Sequence, residues 1–366
     1  MPKILLVTND FGPRAGGIET FIIGLLERIP KGEVLVYTSK QDGHEEHDQG
    51  WQRDFGIEVI RDRTKILLPT PRVIRSLRKL ISTRDIEVIW FGAAAPLGLS
   101  ARWLRTSSVK KVVALTHGHE VWWAKLPPFS FLMREIAKGV DHFGYLAEYT
   151  AKELSRVIPQ AKLTKIAPGI DVNHFIPYQV EKERPAIISV GRLVHRKGQD
   201  KLVEALPLIK REIPEVELIF VGEGPHRKEL DRLVKKHQLQ SSVRFIGRVN
   251  YKELPRYFSL GDVFAMPSRS RLFGLEVEGL GIVYLEANAC GLAVIGGDSG
   301  GAPDAVLEGE TGFVVDGTSV EDIAARAIEL LRNENLRKKM GERGRSWVEE
   351  EWNWNVWSER FNALLR

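Results

Sequence analysis

The chain has 366 residues, of which 43% are hydrophobic and 28% are charged, and its net charge is +5 at pH 7. This length allows two domains with separate cores, and the composition is that of an ordinary globular protein. No apolar run approaches the ~20 residues that a membrane-spanning helix needs. The one cysteine, Cys290, excludes an internal disulfide and a cysteine-based zinc site, and its apolar neighbours predict a buried thiol.

Strand-like apolar runs alternate with helical patterns along nearly the whole chain, which is typical of parallel sheets covered by helices. In the first half, the predicted strands are 4–8, 34–38, 88–91 and 112–116, and a helix is predicted at 18–26. After a polar stretch, the predicted strands are 186–191, 218–221, 243–246, 263–266 and 294–295. The N-terminus reads as a first strand without a signal-peptide layout, so we expect a cytoplasmic protein.

We therefore predict an α/β protein with two Rossmann-like parallel-sheet domains and a cleft between them. The expected boundaries are 1–170 for the first domain, 171–185 for a linker and 186–345 for the second domain. Aromatic residues at roughly helical spacing then predict a final helix at 346–366 that packs against a core: Trp347, Trp352, Trp354, Trp357 and Phe361.

Two carboxylates stand eight positions apart in the second half, Glu278 and Glu286, with Gly279 and Gly281 after the first. The glycines predict a turn into a helix that begins near Ile282, and a helix start is suited to anions and to sugar hydroxyls. Glu286 lies among apolar residues, and a buried carboxylate needs a partner such as a pair of ribose hydroxyls. The alternative is that Glu278 only caps the helix and Glu286 pairs with a local arginine.

A basic turn follows the first strand of the second half and reads G-R-L-V-H-R-K-G over 191–198. Arg192 and Lys197 together could neutralise a departing diphosphate as its negative charge grows. A solvated basic turn is the alternative.

The first strand ends in a loop that holds Asn9, Asp10, Arg14, Gly16 and Gly17. Paired glycines at a strand-to-helix turn let backbone N–H groups approach a diphosphate, although this loop lacks the G-x-G-x-x-G pattern.

Another cluster, His117, His119 and Glu120, follows the strand at 112–116. Two histidines at i and i+2 supply only part of a metal-ligand set, so hydrogen-bonded structural histidines are the simpler interpretation.

Taken in order, these segments resemble the retaining, nucleotide-sugar-dependent glycosyltransferases of family 4, which have the GT-B fold. Glu278 and Glu286 match the family's E-x7-E motif, and 191–198 matches its G-R-x-x-x-x-K-G pattern. The resemblance implies that Glu278 contacts the transferred sugar, Glu286 holds the nucleotide ribose, and Arg192 and Lys197 hold the phosphates. It also implies that His117 lies at the reaction centre and that the final helix crosses back to the first domain.

The same resemblance implies wider sets of contacts. Further donor-binding residues would be Gly16, Gly17, Val249, Gly279, Leu280, Gly281 and Ile282. Acceptor-binding residues would be Asn9, Asp10, Arg14 and His119, although the resemblance does not settle the role of His119. The family usually has glutamate where this chain has Asp304, which leaves the backbone contacts there in place. No metal or other cofactor is expected.

The implied activity is transfer of a hexose from a nucleotide sugar to a hydroxyl acceptor with retention at the anomeric carbon. The likeness is strongest to members that use GDP-mannose to extend phosphatidylinositol mannosides, and departures at 121–131 and 268–273 leave the acceptor open. UDP-glucose or UDP-N-acetylglucosamine as donor is an alternative. A UDP-sugar epimerase would need acid and base carboxylates that the sequence does not indicate.

A rival of another class is a binding protein for anionic membranes or nucleic acid, suggested by the basic charge. We expect no nucleic-acid partner, because the basic residues are not interleaved with stacking aromatics. The oligomeric state stays open.

Residues 61–85 hold eight lysines or arginines against two aspartates. One helical face is apolar there and consists of Val73, Ile74, Leu77, Leu80 and Ile81. This amphipathic pattern predicts a sheet-covering helix with a solvated basic side. The alternative is a surface that binds anionic lipid headgroups, with help from Trp122, Trp123 and Phe129. The second interpretation extends the expected location to the inner face of the cell membrane.

Overall fold

The computed structural model of the protein describes residues 3–13, 16–118 and 120–366. It divides into two compact units: the residues up to Gly169 together with Trp354–Arg366, and Ile170–Asn353. Each unit is a parallel sheet with helices, as the alternating pattern predicts.

The first unit contains a seven-stranded parallel sheet in the order β3-β2-β1-β4-β5-β6-β7. Its strands are β1 (Ile4–Thr8), β2 (Val34–Thr38), β3 (Glu58–Arg61), β4 (Val88–Phe91), β5 (Lys111–Leu115), β6 (His142–Tyr145) and β7 (Lys162–Lys165). Its helices before the second unit are α1 (Gly17–Leu26), α2 (His44–Phe55), α3 (Pro71–Thr83), α4 (Ala101–Leu104), α5 (Glu120–Lys125), α6 (Phe129–Ala137) and α7 (Glu148–Val157). The four predicted strands are confirmed, whereas β3, β6 and β7 were not predicted.

The second unit contains a six-stranded parallel sheet in the order β10-β9-β8-β11-β12-β13. Its strands are β8 (Ala186–Val190), β9 (Glu217–Val221), β10 (Val243–Gly247), β11 (Val263–Met266), β12 (Ala293–Gly297) and β13 (Gly312–Val315). Its helices are α8 (Gln199–Glu212), α9 (Arg227–Lys236), α10 (Leu254–Phe258), α11 (Ile282–Ala289), α12 (Val320–Arg332) and α13 (Glu334–Trp347).

Each sheet reverses its strand order once, between β1 and β4 in the first unit and between β8 and β11 in the second. In open α/β sheets, ligands bind outside the carboxyl ends of the strands at this switch point. The loops after β1, β4, β8 and β11 are therefore the first places to look for a site.

The aromatic tail is not a single helix, in contrast to the prediction. α13 ends at Trp347, a π-helical turn covers Val348–Trp352, and α14 (Trp354–Leu365) follows Asn353. Trp347 and Trp352 are buried in the second unit, where their ring centroids lie 5.6 Å apart.

α14 completes the core of the first unit. The Phe361 ring is fully buried and packs edge-on against Trp90 of β4, with 4.7 Å between the ring centroids. Gly24 of α1 makes room for Trp354, because a Cβ at that position would overlap the indole ring. Lys111 Nζ also donates a hydrogen bond to the carbonyl oxygen of Leu364.

The predicted amphipathic helix in the basic segment is α3. Val73, Leu77 and Ile81 are buried, and Ile74 and Leu80 pack against the same core. Within the described residues, no helix combines the length and hydrophobicity that crossing a bilayer requires.

The aromatic residues proposed to help this segment bind lipid are at least partly buried. Trp123 is buried, and Trp122 and Phe129 pack against the core with their ring centroids 4.8 Å apart. Part of their surface is therefore used inside the first unit, and a role in lipid binding stays a prediction.

Replacing Phe361 by Ala should lower the free energy of unfolding by about 3–5 kcal/mol, because it leaves a cavity against Trp90. The exposed neighbour Glu359 is the control, and Glu359→Ala should change stability by less than about 0.5 kcal/mol. Chemical denaturation followed by tryptophan fluorescence measures both. Equal effects of the two substitutions would contradict the docking of α14.

Candidate active site

The basic loop 191–198 follows β8 at the switch point of the second sheet. Arg192 is exposed, whereas Lys197 is only 8% exposed. Gly198 has a φ of +73°, and a Cβ there would overlap the carbonyl oxygen of Pro267, which follows β11. The loop is therefore held tightly against the neighbouring strand end, and Lys197 is directed inward.

Glu278 lies on the segment between β11 and α11 and is 7% exposed. Its Oε2 is 2.8 Å from Lys197 Nζ. The Glu278 backbone is fixed as well, because its N–H donates to Ser299 Oγ and its carbonyl oxygen accepts from the Gly301 N–H. The alternative in which Glu278 only caps the helix is wrong, because the residue before α11 is Gly281, in a left-handed conformation.

Glu286 lies inside α11, which begins at Ile282 as predicted. Burial raises the pKa of Glu286 to about 7, and the positive charge of Lys197 opposes this rise. Lys197 thus pairs directly with Glu278, and its positive charge also acts on Glu286. The negative charge of Glu286 in turn acts on Tyr251, a 55% exposed residue that the sequence did not single out.

The other predicted donor residues of this unit lie in two separate segments of the chain. Gly279 to Ile282 form the turn between Glu278 and α11, in which Leu280 and Gly281 are buried. Val249 is partly buried two residues after the end of β10.

His117 lies just after β5 in the first unit. Its Nε2 is 2.5 Å from the carbonyl oxygen of Gly92, which can only accept, so Nε2 carries the proton. The backbone N–H of His117 donates to Glu120 Oε2, and the imidazole ring packs edge-on against Phe21. These contacts fix the orientation of the ring at the carboxyl edge of the first sheet.

Asn9 and Asp10 follow β1 at that edge. The Asn9 side chain makes two hydrogen bonds to the backbone of Leu67, at 3.1 Å to its carbonyl oxygen and 2.6 Å from its N–H. The Asp10 N–H donates to Thr8 Oγ1. Asn9 thus joins the end of β1 to the segment before α3.

The glycine pair of the first loop differs in its surroundings. A Cβ on Gly16 would overlap the Glu19 carboxylate, whereas one on Gly17 would meet no atom of the described chain within 4 Å. Arg14 and His119, both predicted to contact the acceptor, lie outside the described residues.

An open cavity of about 920 Å³ lies beside Asn9 in the first unit. Its lining holds three basic residues and one acidic residue and consists of Asn9, Pro13, Ser39, Lys40, Gln41, Asp42, Arg63, Lys65 and Ile66. The sequence analysis did not connect Lys40 with Arg63 and Lys65. Their positions shortly after β2 and β3 could have done so, because the carboxyl ends of parallel strands meet at one edge.

The family comparisons cover almost the whole chain. A family model described as "Glycosyltransferase Family 4" matches residues 15–174, and one described as "Glycosyl transferases group 1" matches residues 173–347.

Curated relatives match over their full length. The chain is 41% identical to the GDP-mannose-dependent alpha-(1-6)-phosphatidylinositol monomannoside mannosyltransferase of Mycolicibacterium smegmatis, covering 99% of this chain and 98% of the relative. It is 38% identical to a Corynebacterium glutamicum mannosyltransferase named for the monoacylated form of the same acceptor, covering 100% of this chain and 98% of that protein.

Solved structures of lower identity share the fold. Sucrose-phosphate synthase from Thermosynechococcus elongatus superposes with a TM-score of 0.79 at 21% identity, covering 100% of this chain and 98% of that one. Anabaena HepE in complex with UDP also gives a TM-score of 0.79, at 17% identity, covering 99% of both chains. Together with the two parallel sheets and the full-length relatives, these matches show that the chain has the GT-B fold and belongs to the family of GDP-mannose-dependent phosphatidylinositol monomannoside mannosyltransferases.

Proposed function

We propose that the protein transfers a mannosyl residue from GDP-mannose to a hydroxyl group of a phosphatidylinositol mannoside, with retention at the anomeric carbon. The observation that carries the proposal is the buried ion pair between Lys197 and Glu278, which lies at the carboxyl edge of the second sheet just before the helix that carries Glu286. The names of the full-length relatives support this donor and this class of acceptor.

The proposed donor contacts follow from charge and hydrogen-bonding capacity. Arg192 and Lys197 bind the diphosphate, and free N–H groups at the start of α11 add donors. Glu278 accepts hydrogen bonds from mannosyl hydroxyls, and Glu286 accepts them from the ribose. The backbone from Gly279 to Ile282 adds further contacts to the donor.

Donor contacts outside this turn are proposed on the family resemblance. Val249 would meet the nucleobase, and Gly16 and Gly17 would face the phosphates. The open space beside Gly17 supports its part of this assignment.

The proposed reaction needs no side-chain nucleophile. The bond between the anomeric carbon and the β-phosphate oxygen breaks, and its electron pair leaves with GDP. The acceptor hydroxyl forms the new bond from the same face, and its proton passes to the departing phosphate oxygen. Lys197 and Arg192 stabilise the charge that grows on this oxygen, and His117 contacts the transferred sugar.

The basic cavity beside Asn9 supports a place for the acceptor. Lys40, Arg63 and Lys65 can bind the phosphate of a phosphatidylinositol headgroup, and Asp10 can accept a hydrogen bond from a sugar hydroxyl. Asn9 contributes by holding the backbone of Leu67, since its amide is already bonded there. Arg14 and His119 stay proposed acceptor contacts.

The exposed part of the basic segment supports attachment to an anionic membrane. Arg61 and Arg72 are engaged by Asp48 and Asp62, which leaves Arg63, Lys65, Arg75, Arg78 and Lys79 exposed. Between them, Ile66 and Leu68 are 66% and 50% exposed. Basic and apolar side chains in this arrangement suit a phospholipid surface.

The purified protein should transfer labelled mannose from GDP-mannose to a phosphatidylinositol mannoside. Glu278→Gln should lower kcat by about 100-fold or more, because it removes the charge that pairs with Lys197 and the acceptor for the sugar hydroxyls. Thin-layer chromatography of the lipid product measures the transfer.

Glu276 is the matched control, because its carboxylate pairs with Arg271 instead. Glu276→Gln should keep most of the activity. Transfer only from UDP-glucose or UDP-N-acetylglucosamine would refute the assigned donor. No transfer and no nucleotide binding would favour a non-enzymatic binding protein.

The affinity for GDP should rise about tenfold between pH 6 and pH 8. Glu286, with a pKa of about 7, is mainly protonated at the lower pH and ionised at the higher one, and the ionised carboxylate accepts ribose hydrogen bonds more strongly. Isothermal titration calorimetry at each pH measures this affinity. The Glu286→Gln variant is the control, because it shows any change in affinity that comes from titration of GDP itself. If the affinity for GDP changed with pH equally in the variant and in the unmodified protein, the ribose contact would be contradicted.

The protein should sediment with vesicles that contain phosphatidylinositol and much less with neutral vesicles. Ile66→Asp should weaken this binding by about tenfold, because it removes an inserted side chain and adds a negative charge. Trp103, which is 53% exposed on α4, is the control, and Trp103→Asp should bind normally. Equal binding to both kinds of vesicle would exclude the proposal that the basic segment binds anionic lipid.

A further inference from the structure

A buried histidine beside the basic loop lacks hydrogen-bond partners. His226, just before α9, is 3% exposed, and neither of its ring nitrogens has a hydrogen-bond partner among the described residues. Leaving a buried polar group unsatisfied costs about 1–3 kcal/mol. Such a group in a native protein calls for an explanation, and a bound ion is one of the few available.

Two further ligand-type side chains surround this ring. The centroid of the exposed His195 ring lies 3.6 Å from that of His226. One ligand atom each of His195, His226 and Asp200 lies within 4.8 Å of the other two. No other group of three histidine, cysteine or acidic residues in the described part of the chain is arranged closely enough to hold a metal ion.

The backbone that carries these residues is firmly held. The Leu193 N–H donates to the carbonyl oxygen of Glu223, and the His226 N–H donates to the carbonyl oxygen of Leu193. A Cβ on Gly224 would overlap the backbone of Leu193, so the loops after β8 and β9 lie in direct contact. The two imidazoles are therefore brought together by the sheet.

Asp200 is oriented by a second residue. Arg269 donates to both of its carboxylate oxygens, at 2.9 and 2.6 Å. A carboxylate with two such bonds keeps lone pairs for another partner, and metal-ligating carboxylates are commonly held by hydrogen bonds of this kind. The guanidinium charge opposes a nearby cation, so we expect weaker binding than in a closed structural zinc site.

We propose that His195, His226 and Asp200 form a binding site for one divalent transition metal ion of the zinc type. Two imidazoles and a carboxylate are ligands that zinc, cobalt and nickel prefer, and the exposed His195 leaves an entry path and room for water as a further ligand. The ion would join the loops after β8 and β9, only two residues from Lys197. This inference does not depend on the proposed reaction.

Direct metal titration of the untagged protein tests the site after EDTA treatment and dialysis. Co²⁺ should give visible absorption bands that saturate at one ion per chain, and Zn²⁺ should displace it, whereas excess Mg²⁺ should not, because Mg²⁺ prefers oxygen ligands. His195→Gln and His226→Gln should each weaken binding by at least about tenfold.

His237 is the matched control, because it lies at the opposite end of α9 and its Nε2 also lacks a hydrogen-bond partner among the described residues. His237→Gln should bind Co²⁺ like the unmodified protein. Since His195 is exposed, His195→Gln keeps the test valid if His226→Gln fails to fold. Absence of saturable binding, or equal binding by the His195 and His237 variants, would overturn the proposal.

Discussion

Lys197 and Glu278 form a buried ion pair in the second unit, and the surrounding loops hold both residues in place. Charges are costly to bury unless they are paired, and Lys197 is the partner of Glu278. The glycines nearby serve this pairing. Gly198 lets the basic loop meet Pro267, and Gly300 lets its loop meet the Glu278 carbonyl oxygen.

Pairing of charged side chains also explains how the basic segment of the first unit, residues 61–85, is arranged. Arg72 donates two hydrogen bonds to Asp62, and together with Tyr37 it holds the pKa of Asp62 well below its usual range. Arg61 is tied in the same way to Asp48. Part of a charge run that looks uniform in sequence is thus internal structure, and only the remainder faces solvent.

Much of the fold could be predicted from the sequence because its central strands are continuous apolar runs. β1 and β8 are buried along their whole length, and both were predicted. β3 and β7 were missed, because E-V-I-R and K-L-T-K are short and polar, as strands at sheet edges often are. The break at Asn353 was also missed, since aromatic spacing continues across it.

Less of the candidate active site than of the fold could be predicted from local sequence patterns. The roles of Lys197 and Glu278 came from family resemblance, because their contact depends on β8 and β11 being neighbours in the sheet, which no local pattern reveals. The contact of Asn9 with Leu67 joins residues 58 positions apart and has no local signal either. Such long-range contacts follow from topology, which hydrophobic periodicity does not determine.

The membership of α14 in the first unit has a consequence for biosynthesis. A ribosome makes the sheet of that unit first and its closing helix last, with the entire second unit in between. The surface around Trp90 therefore stays uncovered until synthesis reaches Phe361, so the earlier unit matures after the later one. The nascent chain must keep this apolar surface from aggregating throughout that interval.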